Sequence, residues 1–122
     1  MRDYTEFLDL LDGDDVGPIE ASKRASRFLV AMSFVAHELV VAEYKTAIAD
    51  DNHDIEKAEL LITCPDALKN ASARDAFVQR APTKRQKYEV YLNFKSRQDY
   101  LKRLLDIFRE AHQFFRQKGK AE

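Results

Sequence analysis

Apolar residues recur at intervals of four and three along a first long stretch of the chain, which follows Pro18. This spacing places them in one row along a helix and is typical of a coiled-coil seam. Leu29, Met32 and Val40 widen the apolar surface, so we expect this helix to contact more than one neighbour. The first row consists of Val30, Phe34, His37, Val41, Tyr44, Ile48, Asp51, Ile55, Ala58 and Ile62.

A second row with the same spacing begins after Thr83. The two rows together predict an all-α fold in which two long helices form a hairpin with coiled-coil-like packing. The second row consists of Val90, Phe94, Arg97, Leu101, Leu104, Phe108, Ala111 and Phe115. The residues that we expect in the core of the hairpin, or between copies of it, are Phe34, His37, Val41, Tyr44, Phe94, Arg97, Leu101, Leu104 and Phe108.

Proline, glycine and capping residues indicate where the helices end. Pro65 disfavours helical geometry at the residue before it, so the first long helix should stop there. A shorter helical connector is expected over residues 66–80. Thr83 with Gln86 three residues later fits a capping box at the start of the last helix. Gly119 is expected to stop that helix.

These signals divide the chain into three parts. Residues 1–17 form an acidic N-terminal segment with six acids and one base. Such a segment should be mobile or docked on a basic surface, including one of the chain's own. Residues 18–118 form the helical hairpin domain, and residues 119–122 form a short tail.

Two wide apolar faces leave surface that one helical hairpin cannot cover in a chain of 122 residues. We therefore predict a homo-oligomer in which neighbouring chains cover that surface. The segment ADDNHD (49–54) has poor helix propensity. A break there would give the alternative, an intramolecular bundle of three or four shorter helices.

The formal net charge of −1 conceals a strong asymmetry. Residues 1–66 hold 15 acids and 6 bases, a balance of −9, whereas residues 67–122 hold 14 bases and 6 acids, a balance of +8. This division suggests an anion-binding half beside an acidic half. Head-to-tail pairing between chains, or two solvated faces, would explain the same asymmetry.

Patterns for catalysis or metal binding are weak. HELVV (37–41) carries half of a zinc-protease motif, but Val41 stands where the second histidine is needed. His37 belongs to the apolar row, where a core histidine is the simpler interpretation. His53 lies among three aspartates, which we interpret as a solvated acidic helix face. We therefore predict a protein that is not an enzyme and that has no cofactor and no metal site.

Nucleic-acid binding has better support. Six cations crowd the 19 residues from 69 to 87, a segment that we call the basic connector and in which Asp75 is the single acid. Such clusters neutralise phosphates and release counterions. Four of the cations lie around the predicted start of the last helix, where the helix dipole also favours an anion. Tyr88 is the best candidate to stack on an unpaired base. The predicted nucleic-acid-binding residues are Lys69, Arg74, Arg80, Lys84, Arg85, Lys87 and Tyr88.

Three segments follow one another in an order that resembles a known family: VVAEYKTAIADD (40–51), ALKNASARDAFV (67–78) and DYLKRLLDIFRE (99–110). In layout, residues 25–118 resemble small helical-hairpin proteins of tailed bacteriophages, most of all recombination mediators of the UvsY type. The resemblance implies ring-like assembly, single-stranded DNA bound on basic surfaces, and help for a recombinase in replacing a single-strand-binding protein. The family's basic residues lie largely in its first hairpin, whereas the matching helix here is acidic.

The predicted function is thus that of a homo-oligomeric, single-stranded DNA-binding recombination accessory protein. The alternative is a non-enzymatic interaction module, an inhibitor or an assembly subunit, whose acidic half binds a basic partner through Tyr4, Phe7, Leu8 and Leu11. The lone Cys64 fits a reducing cytoplasm, that of the host cell for a phage protein. The longest apolar run is far shorter than the ~20 residues of a membrane span, so no membrane partner is expected.

Overall fold

The computed structural model describes residues 2–13 and 15–120. All regular structure in this part of the chain is helical, and α2 and α4 form a long hairpin, so the predicted all-α hairpin is confirmed. Among its described residues, the acidic N-terminal segment contains one short helix. The helices, in chain order, are α1 (Thr5–Leu8), α2 (Pro18–Thr63), α3 (Ala71–Arg80) and α4 (Pro82–Lys120).

Helix α2 is continuous through the aspartate-rich segment 49–54. The alternative of a bundle of shorter helices, broken at this point, is therefore wrong. The weak helix formers do not break this helix, because it has 46 residues and its stability comes more from tertiary packing than from intrinsic helix propensity. Helix α4 likewise continues to Lys120, so Gly119 lies inside the helix and does not stop it.

The ends of the helices follow local chemistry. Helix α2 ends two residues before Pro65, close to the predicted boundary. Helix α3 starts later than predicted because the Asn70 side chain caps it, accepting a hydrogen bond of 2.7 Å from the amide of Ala73. Helix α4 begins at Pro82. Proline suits the first helical position, because the N–H that it lacks would have no intrahelical hydrogen-bond partner there. Thr83 therefore lies inside the helix, and its predicted place as an N-cap is wrong.

Two compact units divide the chain, and each is described by itself. Unit 1 consists of Met1–Val40 and Tyr100–Glu122, and unit 2 consists of Val41–Asp99. Unit 1 thus combines the N-terminal segment with the first part of α2 and the last part of α4. Unit 2 contains the remainder of those two helices with the basic connector between them.

Aromatic rings form the centre of unit 1. Phe28 of α2 stacks on Phe115 of α4, with ring centroids 5.6 Å apart and planes 8° from parallel. Phe108 lies 5.8 Å from Phe28 and 6.0 Å from both Tyr4 and Phe7. All five rings are almost fully buried. The N-terminal segment is therefore part of this core, with two of its aromatic side chains inside.

Small residues of α2 face the large residues of α4 in unit 1. Ala21, Ala25 and Ala31 are buried on α2, and Leu101 and Leu104 are buried on α4 beside the aromatic rings. Alanines bring the two helix backbones close enough for the bulky α4 side chains to fill the space between them. Leu101, Leu104 and Phe108, which we expect in the core or between copies, are buried in unit 1.

The first apolar row lies outside the core of the chain, so of the two places expected for its members only contact between copies stays a prediction. Phe34 is 36% exposed, with the Arg2 guanidinium 3.8 Å from its ring centroid, and Val41 and Tyr44 are 40% and 68% exposed. His37 is exposed as well and is not a core histidine. The physical reason is that α2 is apolar on two faces, and its alanine face is the one that fits α4.

The N-terminal segment is held in unit 1 by basic side chains of the same chain. Arg24 donates to the carbonyl oxygens of Leu10, at 3.1 Å, and of Asp12, and Lys118 donates to the carbonyl oxygen of Gly13. The Tyr4 hydroxyl, in turn, donates to the Glu38 carboxylate at 2.8 Å. Of the two predicted states of this segment, the structure has the docked one.

Asp3 organises the start of α1. Its carboxylate accepts hydrogen bonds from the hydroxyl of Thr5, at 2.6 Å, and from the Thr5 amide, at 2.9 Å. These bonds lower the pKa of Asp3 below its usual 3.8. A lowered pKa means that this local contribution to stability is present above pH 3.8 and is lost as the pH falls through the lowered value.

Gly13 is expected to be sensitive to substitution. A Cβ atom there would lie 2.6 Å from Cζ of Phe115, a buried ring stacked on Phe28, and closer still to its Cε1. We expect Gly13→Ala to lower the free energy of unfolding by about 1–3 kcal/mol, measured by urea denaturation. The matched control is Gly17→Ala, since a Cβ there meets nothing within 4 Å. Equal stability of the two variants would contradict the tight packing at Gly13.

Candidate nucleic-acid interface

Five of the six cations of the basic connector lie on or near the surface of unit 2. One is in the loop before α3, two are on α3 and two are in the first turns of α4. No ion pair joins any of them to an acid within the part of the chain that the structure describes. Arg74 is half-buried and the others are exposed. These five residues are Lys69, Arg74, Arg80, Arg85 and Lys87.

Lys84 differs from the other cations of the basic connector. Its side chain is buried, with a relative exposure of 8%, and its ammonium donates to the side-chain oxygen of Gln79 at 2.8 Å. The same nitrogen lies 5.1 Å from the ring centroid of Tyr88. Lys84 therefore joins the end of α3 to the first turns of α4, and the expectation that it faces an external phosphate is not supported by its position.

Tyr88 is packed among other side chains of unit 2. Its ring centroid lies 5.3 Å from that of His53 on α2 and 6.2 Å from that of Tyr91 on α4. With the Lys84 ammonium also against it, this ring connects α2 to α4, although 41% of the residue is exposed. The structure thus gives the predicted stacking residue a packing role in the folded chain.

The start of α4 adds a favourable field for anions. Pro82 is its first residue, and no acid lies in its first turn. The first backbone hydrogen bond with α-helical spacing at this end runs from the Arg85 amide to the carbonyl oxygen of Ala81, at 3.2 Å. The backbone amides that precede Arg85 in α4 have no helical carbonyl as a hydrogen-bond acceptor. The positive end of the helix dipole lies at the same amides. In the sequence, the first residue of α4 stands between the cations Arg80 and Arg85.

An apolar groove of about 690 Å³, lined in part by Arg80, opens in unit 2. We call it the connector groove. Its walls come from the end of α2, the loop before α3, α3 itself and the start of α4. The residues that line it are Leu60, Leu68, Ala73, Ala76, Phe77, Arg80, Ala81, Pro82 and Thr83. The sequence pattern does not predict this groove, because its walls come from four separate elements and belong to neither apolar row.

Phe94 and Arg97, the two residues of the second row in unit 2 that we expect in the core, are only partly buried. Phe94 lines a small cavity of about 230 Å³ together with Ile48, Lys87 and Val90. Arg97 is half-buried too. Neither reaches the full burial of the second-row residues in unit 1.

Asp50, His53 and Asp54 place one ligand atom each within 4.8 Å of one another. The Nδ1 atom of His53 lies 3.6 Å from the Asp54 carboxylate, and its Nε2 atom is buried with no hydrogen-bond partner in the described part of the chain. Both aspartates are exposed on one face of α2. Such a set has the chemistry to hold a divalent cation loosely, and exposed acidic groups of this kind are common on solvated helices.

The uncovered part of the first row forms an exposed apolar surface in unit 2, which we call the outer stripe. Its members follow one another at spacings of three, four, seven and seven, as residues on one side of a coiled-coil helix do. Asp51, a charged and exposed member of the same row, lies between Ile48 and Ile55. The outer stripe consists of Val41, Tyr44, Ile48, Ile55 and Ile62, whose exposed fractions are 40%, 68%, 42%, 56% and 83%.

Helix α2 is also long and apolar enough to cross a membrane by length and composition alone. An 18-residue window in it has a mean hydropathy of 1.5, and 28% of that window is buried in the chain. Core helices of soluble proteins meet the same criterion. The expectation that this protein has no membrane partner therefore stays a prediction.

Comparison with protein-family models, with curated proteins and with solved structures gives no match to this chain.

Proposed function

We propose that this protein binds single-stranded DNA through its basic connector and assembles as a homo-oligomer that serves as a recombination accessory factor. The observation that supports DNA binding is the set of five cations that have no acidic partner among the described residues. Cations so close in sequence repel one another, and the repulsion lowers stability until an anion offsets it. A phosphate backbone supplies such anions at regular intervals.

A single strand fits this surface better than a duplex does. Arg80, one of these cations, lines an apolar groove, and proteins that bind single strands combine a positive surface with apolar or aromatic contacts to the bases. Helices that read duplex DNA instead place several polar side chains against base edges in the major groove. In the connector, an apolar groove lies beside Arg80, a combination that suits contact with an unpaired base.

Binding titrations with single-stranded and duplex oligonucleotides at two salt concentrations test the proposal. We expect tighter binding of the single strand, and a slope of log K against log salt of about −3.5, from five phosphates at ~0.7 each. Absence of affinity for single-stranded DNA at low salt would refute it. The alternative of a protein–protein interaction module, with its exposed acidic face on α2 as the binding surface, would then take its place.

The outer stripe supports the assembly part of the proposal. A second copy of the chain offers the same row of residues at the same spacing, and pairing of two rows would remove both from water. We expect light scattering to show an oligomer at micromolar concentration. We expect Ile48→Asp with Ile55→Asp to raise the dissociation constant of that oligomer at least tenfold, since two charges would then be buried in an apolar contact.

Ser26→Asp is the control for this change, because Ser26 is an exposed polar residue of the same helix. It should leave the oligomer intact. A wild-type monomer would contradict the assembly proposal. Co-sedimentation of that monomer with phospholipid vesicles, lost in the double variant, would show that the stripe contacts lipid instead.

A further inference from the structure

The connector groove has the features of a small-ligand site. Its volume of about 690 Å³ lies within the ~300–1,000 Å³ usual for such sites. Its walls are almost wholly apolar, with the ring of Phe77 and the side chains of Leu60 and Leu68 among them. All three of these side chains are half-buried, so the groove is open to a ligand that arrives from solution.

We propose that the connector groove receives an unpaired base of the bound strand, with Phe77 as the residue that contacts the face of the base. The inference rests on the proposed function, since the strand must first bind the basic connector. It moves the aromatic contact from Tyr88, whose ring is occupied by His53, Tyr91 and Lys84, to a ring that lines an open groove.

The charges around the groove favour a nucleotide as its ligand. Among the described residues that line it, Arg80 is the one charged residue, and none is an acid. Arg80 is exposed and has no acidic partner among the residues that the structure describes. Thr83 also lines the groove and lies in the first turn of α4, where backbone amides are free to donate. A nucleotide matches both features, with its base against the apolar walls and its phosphate against Arg80 and the helix end.

A preference for single strands follows from the same geometry. A base in a duplex is paired and stacked on its neighbours, so it enters a side groove only after it is unpaired, which costs free energy. A single strand presents its bases without that cost. The cations alone distinguish the two forms poorly, because both carry phosphates.

The test compares two oligonucleotides of the same length and charge, oligo-dT and an abasic deoxyribose-phosphate strand, by fluorescence anisotropy with the full chain. We expect the dT strand to bind about tenfold more tightly, as one stacked base contributes on this scale. Equal affinity for the two strands would overturn the inference and leave the proposed function standing. Failure of both strands to bind would refute the proposed function itself.

Phe77→Leu provides the second measurement, since it removes the ring and keeps an apolar side chain. We expect it to reduce the dT preference to near unity, with unchanged affinity for the abasic strand and an unchanged salt slope. Phe114→Leu is the control, because Phe114 is a half-exposed ring of α4 in unit 1. A preference that persists in Phe77→Leu overturns the assignment of Phe77. A change of oligomer size in that variant would assign the groove to a neighbouring copy and overturn it too.

Discussion

Replacement of Phe108 by alanine is expected to lower the free energy of unfolding by about 3–5 kcal/mol. Phe108 is 0% exposed, and its ring lies within 6.0 Å of those of Tyr4, Phe7 and Phe28. The substitution would leave a cavity where the N-terminal segment, α2 and α4 meet in unit 1. Thermal or urea unfolding, followed by circular dichroism, measures the loss.

Phe114→Ala is the matched control for that change. Phe114 lies in the same helix and is 50% exposed, although its ring contacts Phe115 at 5.1 Å between centroids. We expect it to cost less than about 1 kcal/mol, the usual range for a surface change. If both variants lost the same stability, the assignment of Phe108 to the centre of the core would be wrong.

Removal of three exposed cations is expected to have the largest effect on DNA binding. Arg80→Ala, Arg85→Ala and Lys87→Ala together should weaken binding of single-stranded DNA by about 10²–10³-fold at 50 mM salt. The estimate comes from three lost phosphate contacts, each of which contributes ~0.7 to the salt slope, so the slope should also flatten by about 2. Lys84 is left unchanged, because its buried amine bonds Gln79 and its loss would disturb the fold.

The control triple variant is Lys102→Ala, Arg103→Ala and Arg116→Ala. These cations are exposed on α4 in unit 1, away from the basic connector in sequence. They should change affinity far less if the connector is the binding surface. Dissociation of the oligomer by the connector variant would contradict the proposal in another way: the cations would then be offset by acids of a neighbouring chain.

The second row was predictable because α4 separates its residue types cleanly. Large apolar side chains such as Leu101, Leu104 and Phe108 recur at helical spacing, with charged residues at most positions between them. A helix of that composition has one face to bury. Its buried face in unit 1 could therefore be read from spacing alone.

The buried face of α2 could not be read in the same way. Large residues such as Val41, Tyr44 and Ile48 give the stronger periodic signal, yet the buried face is the one with Ala42 and Ala49. Which face packs inside depends on the shape of the opposite helix, and bulky α4 side chains require small partners. A pattern of hydrophobicity along one helix holds no information about the size of the residues on another.

For the candidate site, too, the sequence predicts only part of the geometry. The sequence identifies the six cations, and five of them are exposed or half-buried as a binding surface requires. It does not reveal that Lys84 turns inward to Gln79, since that bond crosses the turn between α3 and α4. The connector groove depends on the same turn, which places Phe77 beside Pro82 and Leu68.

The composition of unit 1 has a consequence for the order of events during synthesis. Phe28 and the two aromatic residues before it are made well ahead of α4, and the segment between the two parts of unit 1 is Val41–Asp99. At roughly 5–20 residues per second, a ribosome takes about 3–12 s to add those residues. For that interval the nascent chain exposes Tyr4, Phe7 and Phe28 together with the apolar surface of α2. Unit 2 can therefore acquire its contacts first, and the aromatic core of unit 1 forms later. The nascent chain is thus the stage at which this protein is most prone to aggregate.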